Sequence, residues 1–186
     1  MEIEFGLMEQ KCYLFTSDRL GFRNWVEGDV SEMDKISGDQ EVMRYFPAAK
    51  TLKETEDFIF RMQQEFLNKG FCYFAVDRLD TSELVGFIGI CSQTYEASFN
   101  PSVDIGWRLG QKHWGKGFAT EGAVCCLRYA FDELSLDRIV SVAPKANLSS
   151  VKVMQKIGMK ELISFRHPLL EDYPALVECV CYEIRR

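Results

Sequence analysis

The chain has 186 residues, 47% of them hydrophobic, 27% charged and 13% aromatic. That is a globular balance and the length of a single domain, 1–186, with a real core. Its formal net charge of −6 argues against a protein that grips nucleic acid through a basic surface. No apolar run reaches the ~20 residues of a membrane span. The opening MEIEFG is acidic where a signal peptide would be basic, so a cytoplasmic chain is expected. Seven scattered cysteines suit a reduced compartment, not a disulfide framework. A metal site is not expected either. Cys179 and Cys181 sit in a strand pattern far from His113 and His167, and zinc needs about four converging ligands.

Taken in order, Tyr13–Ser17 and Leu20–Arg23 read as one strand with an irregularity. Residues 27–38 carry Val30, Met33 and Ile36 at helical spacing, and 41–45 is a short helical piece ended by Pro47. Thr51 and Glu54 form a capping box. The helix they open runs to about Lys69, buries Phe58, Ile59, Met62 and Phe66, and stops at Gly70. The nearly continuous apolar runs in 71–77 and 84–92 imply strands covered on both faces. A strand over 103–109, a glycine loop and a helix over 118–134 follow. Then come a strand at 138–143, a helix at 147–157 closed by Gly158, and strands at 165–168 and 176–184. This order is neither βα alternation nor segregated halves, and predicts a mixed α/β sheet covered by helices.

The strand–loop–helix VDIGWRLGQKHWGKGFATE, residues 103–121, is the stretch with a chemical signature. Unpaired N–H groups at a helix start, approached closely at glycines, form a phosphate cradle. Gly110 to Lys116 has the spacing of a P-loop, but Gly117 stands where a hydroxyl should hold Mg²⁺. Gly115-Lys-Gly117-Phe-Ala-Thr120 is spaced like a dinucleotide fingerprint. Its candidate ribose ligand, Asp137, precedes the next strand where it should end it.

Lys112-His-Trp-Gly115-Lys-Gly117 resembles the R/Q-x-x-G-x-G/A acyl-CoA pyrophosphate loop of the GNAT N-acetyltransferases. The surrounding wording is similar to the RimJ/RimL-like branch, the ribosomal-protein N-terminal acetyltransferases. It includes Thr16-Ser-Asp-Arg19, Glu41-Val-Met-Arg-Tyr-Phe46, Gly86-Phe-Ile-Gly-Ile90, Trp114 to Glu121 and Asn147-Leu-Ser-Ser150. The resemblance runs in order from about Ser17 to the C-terminus. It implies a GNAT fold: a central mixed, mostly antiparallel sheet of six to seven strands with helices on both faces. It also implies acetyl-CoA as cosubstrate and direct transfer to a primary amine, on a protein N-terminus or a small molecule. The partner would be that small-molecule or peptide amine, with no nucleic acid or membrane, and the protein a monomer or homodimer. A non-catalytic acyl-CoA sensor on the same fold and a dinucleotide-binding oxidoreductase are the rival readings.

The resemblance implies cofactor-binding roles for Trp107, Arg108 and Leu109, with a backbone N–H there facing the acyl oxygen and a bulge freeing it. The loop Gln111, Lys112, His113, Trp114, Gly115, Lys116, Gly117, Phe118 and Ala119 would hold the diphosphate through backbone amides. Asp104 aligns with the family's strand carboxylate, a base in some members; otherwise it is an outward polar residue. Asn147 matches the residue that bonds the pantetheine arm, and as Asn it also suits a helix N-cap. Ser150 matches the serine proposed to protonate the thiolate, or is an ordinary first-turn serine. The usual tyrosine acid is replaced by Met154. His113 is expected to face solvent or phosphate.

Overall fold

A computed structural model describes residues 12–186; the acidic MEIEFG stretch lies outside them. Eight strands form one sheet: β1 (Phe15–Thr16), β2 (Leu20–Arg23), β3 (Tyr73–Arg78), β4 (Leu84–Gln93), β5 (Ser102–Leu109), β6 (Arg138–Pro144), β7 (Lys160–Arg166) and β8 (Glu178–Arg185). Their order is β1-β2-β3-β4-β5-β6-β8-β7, antiparallel throughout except for β5 beside β6. Four helices accompany it: α1 (Val30–Ser37), α2 (Leu52–Lys69), α3 (Phe118–Arg128) and α4 (Leu148–Lys156).

The sheet is one strand larger than the resemblance implies because 13–23 folds back on itself. Phe15 lies opposite Phe22 in a β1–β2 hairpin, where the sequence reads as one irregular strand. The 41–45 segment is a set of turns instead of a helix. The Asp39 carboxylate accepts from the N–H groups of Glu41 and Val42, a local turn that competes with helix formation. β7 starts at Lys160, earlier than the apolar pattern suggests, since nearly all of its residues are exposed. The 118–134 helix is α-helical to Arg128 and ends in a π turn, Tyr129–Glu133. That turn places the Tyr129 ring on Phe15 at 4.4 Å and lets its hydroxyl donate to the Gly70 carbonyl.

The helix faces follow from residue parity along β4. Phe87 meets Phe58 of α2, while its neighbour Ile88 packs under α3 at Gly122, where an added Cβ would come 2.3 Å from Ile88 Cδ1. Successive strand residues point to opposite faces, so α2 and α3 lie on opposite sides. The apolar run of β4 is buried from Leu84 to Cys91, as coverage of both faces requires.

A buried ion cluster fastens the α2 side. Arg23 is bidentate to Asp29 at 2.7 and 2.8 Å, and also bonds Asp77 at 2.7 and 3.1 Å. It joins β2, β3 and the turn before α1. Burial alone would lower its pKa, and the two carboxylates around the guanidinium together outweigh that and hold it up.

The expected bulge in 103–109 is absent. β4 and β5 pair without a break from Gly86↔Leu109 to Gln93↔Ser102. The register shifts lie at Val76/Asp77 and Glu161/Ile163. The edge of β5 is freed differently. β5 touches β6 in ladder fashion at Asp104↔Val140, and beyond that bridge the Ser141 hydroxyl donates to the Ile105 carbonyl at 2.9 Å. The two strands then part.

Candidate functional site

The opening between β5 and β6 leads into a cleft of about 740 Å³. Its walls come from the 41–46 turn, the end of β5, the glycine loop with the start of α3, and the start of α4. Alternation decides which backbone groups of β5 face it. Gly110 N–H donates to Val85 O on the β4 side, whereas Ile105 O and Leu109 O accept from the side chains of Ser141 and Trp114. Odd-numbered residues of β5 therefore turn their peptide groups away from β4. Trp107 follows Ile105 in that series, so its N–H points into the opening.

The glycine loop narrows the set of anion donors. Gln111–His113 form a 3₁₀ turn in which the N–H groups of His113 and Trp114 donate to Gly110 and Gln111. Those two donors are spent internally. Gly115 and Gly117 have φ of +72° and +82°, a conformation open to glycine, and Gly117 is the N-cap of α3. The first intrahelical donor is Glu121 N–H, to Gly117 O. Among the described residues no protein acceptor meets the N–H groups of 117–120. They leave free donors at the positive end of the α3 dipole, an arrangement able to hold an anion.

Trp107, Arg108, Leu109, His113, Trp114, Gly115, Gly117, Phe118, Ala119, Asn147 and Ser150 all border the cleft. The side chains of Gln111, Lys112 and Lys116 do not: Lys112 is ion-paired with Glu83, and Gln111 reaches toward Asp39. His113 is buried, against the expectation that it faces solvent, although it borders the cleft. Both its ring nitrogens lack a hydrogen-bond partner among the described residues, and burial pulls its pKa down. Asn147 caps α4, its Oδ1 accepting from Ser150 N–H at 3.2 Å and Ser149 Oγ at 2.8 Å. The Ser150 hydroxyl has no protein partner among the described residues.

Asp104 is set apart from this group, at the apex where β5 and β6 meet and outside the cleft lining. It lies half-buried, and Tyr73 Oη donates to its Oδ1 at 2.6 Å while Gln93 donates to Tyr73 Oη at 3.2 Å. Burial pushes the carboxyl up to about 6, with the hydrogen bonds from Tyr73 and Gln93 opposing. It thus titrates near neutrality, where a proton acceptor is useful. Sequence reasoning missed Tyr73 and Gln93 because strand pairing across β3, β4 and β5 brings them together, and no local spacing announces it. It also missed the tie between Ser17-Asp-Arg19 and Glu121. The Glu121 carboxylate accepts from Ser17 Oγ, Arg19 N–H and Arg19 Nε at 2.7, 2.9 and 2.7 Å, and the Arg19 guanidinium lies 4.6 Å over the Phe118 ring. These contacts clamp the β1–β2 turn to the first turn of α3.

The single parallel pairing, β5 with β6, is unlike the parallel sheet that a P-loop or a dinucleotide fold requires. The comparisons point elsewhere. Residues 19–160 match the acetyltransferase (GNAT) domain family. The Bacillus subtilis protein YkkB is 30% identical over 154 residues, 82% of this chain and 87% of that one. A GNAT-family acetyltransferase structure from Bacillus anthracis superposes with a TM-score of 0.77 at 26% identity, covering 91% of this chain and 96% of that one. RimL, a ribosomal L7/L12 α-N-protein acetyltransferase solved with coenzyme A, has a TM-score of 0.73 at 13% identity over 91% of this chain and 95% of its own; that likeness shows the fold alone. With a cleft that joins a helix start to the freed edge of a strand, and a family match over most of its length, the chain belongs to the GNAT acetyltransferases.

Proposed function

We propose that the chain is one acetyltransferase domain of the RimJ/RimL-like branch, and that it moves the acetyl group of acetyl-CoA directly onto a primary amine. The observation that carries this reading is the continuity of one cleft from the free N–H groups at the start of α3 to the Trp107 N–H on β5. The first would hold a diphosphate. The second would receive the acyl oxygen as it gains charge. Thioester and amine are then held side by side, and positioning itself lowers the barrier.

In the transfer the amine nitrogen bonds to the acetyl carbon, the carbon–sulfur bond breaks, and the ammonium proton must leave before attack. Asp104 is the proton acceptor in this reading, aided by the Tyr73 and Gln93 bonds that keep its pKa from rising further. Its place beyond the cleft lining calls for a water between amine and carboxylate. Ser150, whose hydroxyl is uncommitted, relays the second amine proton, lost after attack, to the departing thiolate. None of the cleft-lining residues is a cysteine, which favours direct transfer over an acyl-enzyme.

The test is thiol release from acetyl-CoA in the presence of N-terminal peptides, polyamines and aminoglycosides, with products identified by mass spectrometry. Stoichiometric thiol and acetylated amine are expected. CoA binding with no turnover on any amine would favour the sensor reading, which draws some support from the withdrawn position of Asp104. NADH binding without CoA binding would overturn both.

A further inference from the structure

Arg23 and Arg108 both lie covered beside the sheet, and their surroundings differ in kind. Arg23 is neutralised by Asp29 and Asp77 and donates through all three guanidinium nitrogens. Arg108 lines the cleft with its guanidinium carbon 4.5 Å over the Phe46 ring and 5.2 Å from that of Phe87. One nitrogen, Nη1, donates to Ser37 Oγ at 3.1 Å. Nε is buried with no partner, and no carboxylate pairs with Arg108 among the described residues. Glu41, the carboxylate bordering the same cleft, is engaged by Arg44. A covered cation without a counter-ion is costly, and burial pulls the Arg108 pKa down to about 10. Aromatic rings on its faces offset part of that cost and leave its edge for something else.

We propose that Arg108 anchors an anionic group of the acceptor, so that the amine is accepted on a molecule bearing a carboxylate or phosphate near it. This rests on the acetyltransferase reading of the cleft. With Nη1 held by Ser37, the Nε–Nη2 edge is the one remaining, and two parallel N–H donors fit a carboxylate or phosphate in bidentate fashion. The group is not a CoA phosphate. Arg108 lies opposite Phe87 on the α2 side of the sheet, whereas α3, whose start carries the free loop amides, packs on the other side against Ile88. The wall above Arg108 is the 41–46 turn. Phe46, 37% exposed on that turn, is the group that must shift for an anion to reach Nε. This local positive charge sets acceptor preference against the net charge of −6.

The experiment compares matched acceptors: free amino acids against their C-terminal amides, peptides beginning Asp or Glu against Asn or Gln, and phosphoethanolamine against ethanolamine. The ratio of kcat/KM, anionic over neutral, is read for the wild type, Arg108→Met and Arg108→Lys, with thermal midpoint and CoA affinity as folding controls. At least one pair should favour the anionic member about tenfold or more, and the pair that does so tells carboxylate from phosphate. Arg108→Met should bring that ratio to about one, with Arg108→Lys between. A neutral member acetylated as well as its anionic partner throughout, or a ratio that survives in Arg108→Met, overturns the proposal and leaves the acetyltransferase reading standing. Silence on every acceptor with CoA bound overturns both.

Discussion

The titration of Asp104 offers the sharpest test of how the amine loses its proton. With the carboxyl pushed up to about 6, about nine-tenths of it is ionised at pH 7 and about one-tenth at pH 5. The logarithm of kcat/KM should therefore fall with unit slope below pH 6. Tyr73→Phe removes the 2.6 Å bond to the carboxylate. A hydrogen bond to a charged group is worth about 1.5–3 kcal/mol, and one pKa unit is 1.36 kcal/mol, so the midpoint should move up by about one unit or more. Asp104→Asn should abolish the acidic limb. It should not destabilise the fold at neutral pH: a carboxyl whose folded pKa lies above its unfolded value loses stability as pH rises through both, and the amide escapes that cost. The assay is a pH–rate profile with thermal midpoints measured alongside. An acidic limb that persists unchanged in both variants would refute Asp104 as the proton acceptor.

Other outcomes follow from particular contacts. Arg23→Met leaves Asp29 and Asp77 buried without their cation and should cost about 3–5 kcal/mol in denaturant unfolding; a loss below 1 kcal/mol would contradict the cluster's role. Gly117→Ala forces φ +82° on a residue with a Cβ, a strain of about 1–2 kcal/mol, and should weaken CoA binding about 5- to 30-fold by calorimetry. Ser150→Ala should lower kcat with little change in CoA affinity, read by single-turnover kinetics. Burial lowers the His113 pKa, so the unfolded chain binds the proton more readily. Stability should fall as pH drops through about 6.5, and His113→Leu should flatten that dependence in thermal scans.

Some of this was legible in the sequence for plain physical reasons. Thr51 and Glu54 cap α2 as their spacing says, and Gly70 ends it in the left-handed conformation. The glycine loop, Asn147 and Ser150 all border one cleft because short-range rules position them: a glycine turn, a helix start and an N-cap. What was hidden depends on pairing at long range. Nothing local marks Tyr73 as the partner of Asp104, 31 residues away, or Glu121 as the acceptor for Arg19, 102 residues away. The freed edge of β5 does not come from a bulge in its own residues. It arises where β6 diverges from an unbroken β4–β5 ladder, and divergence between neighbours leaves no trace in either strand's own residues. The apolar pattern marks only the end of β7, because an exposed edge strand need not alternate.

The central claim is that this cleft transfers acetyl from acetyl-CoA to an amine, and one measurement meets it directly. The protein is mixed with acetyl-CoA and the acceptor panel, and thiol and acetylated product are quantified together, without and with Gly117→Ala. Equal amounts of thiol and acetyl-amine, both reduced by the loop substitution, are the predicted result. Tight CoA binding with neither product formed would contradict the claim.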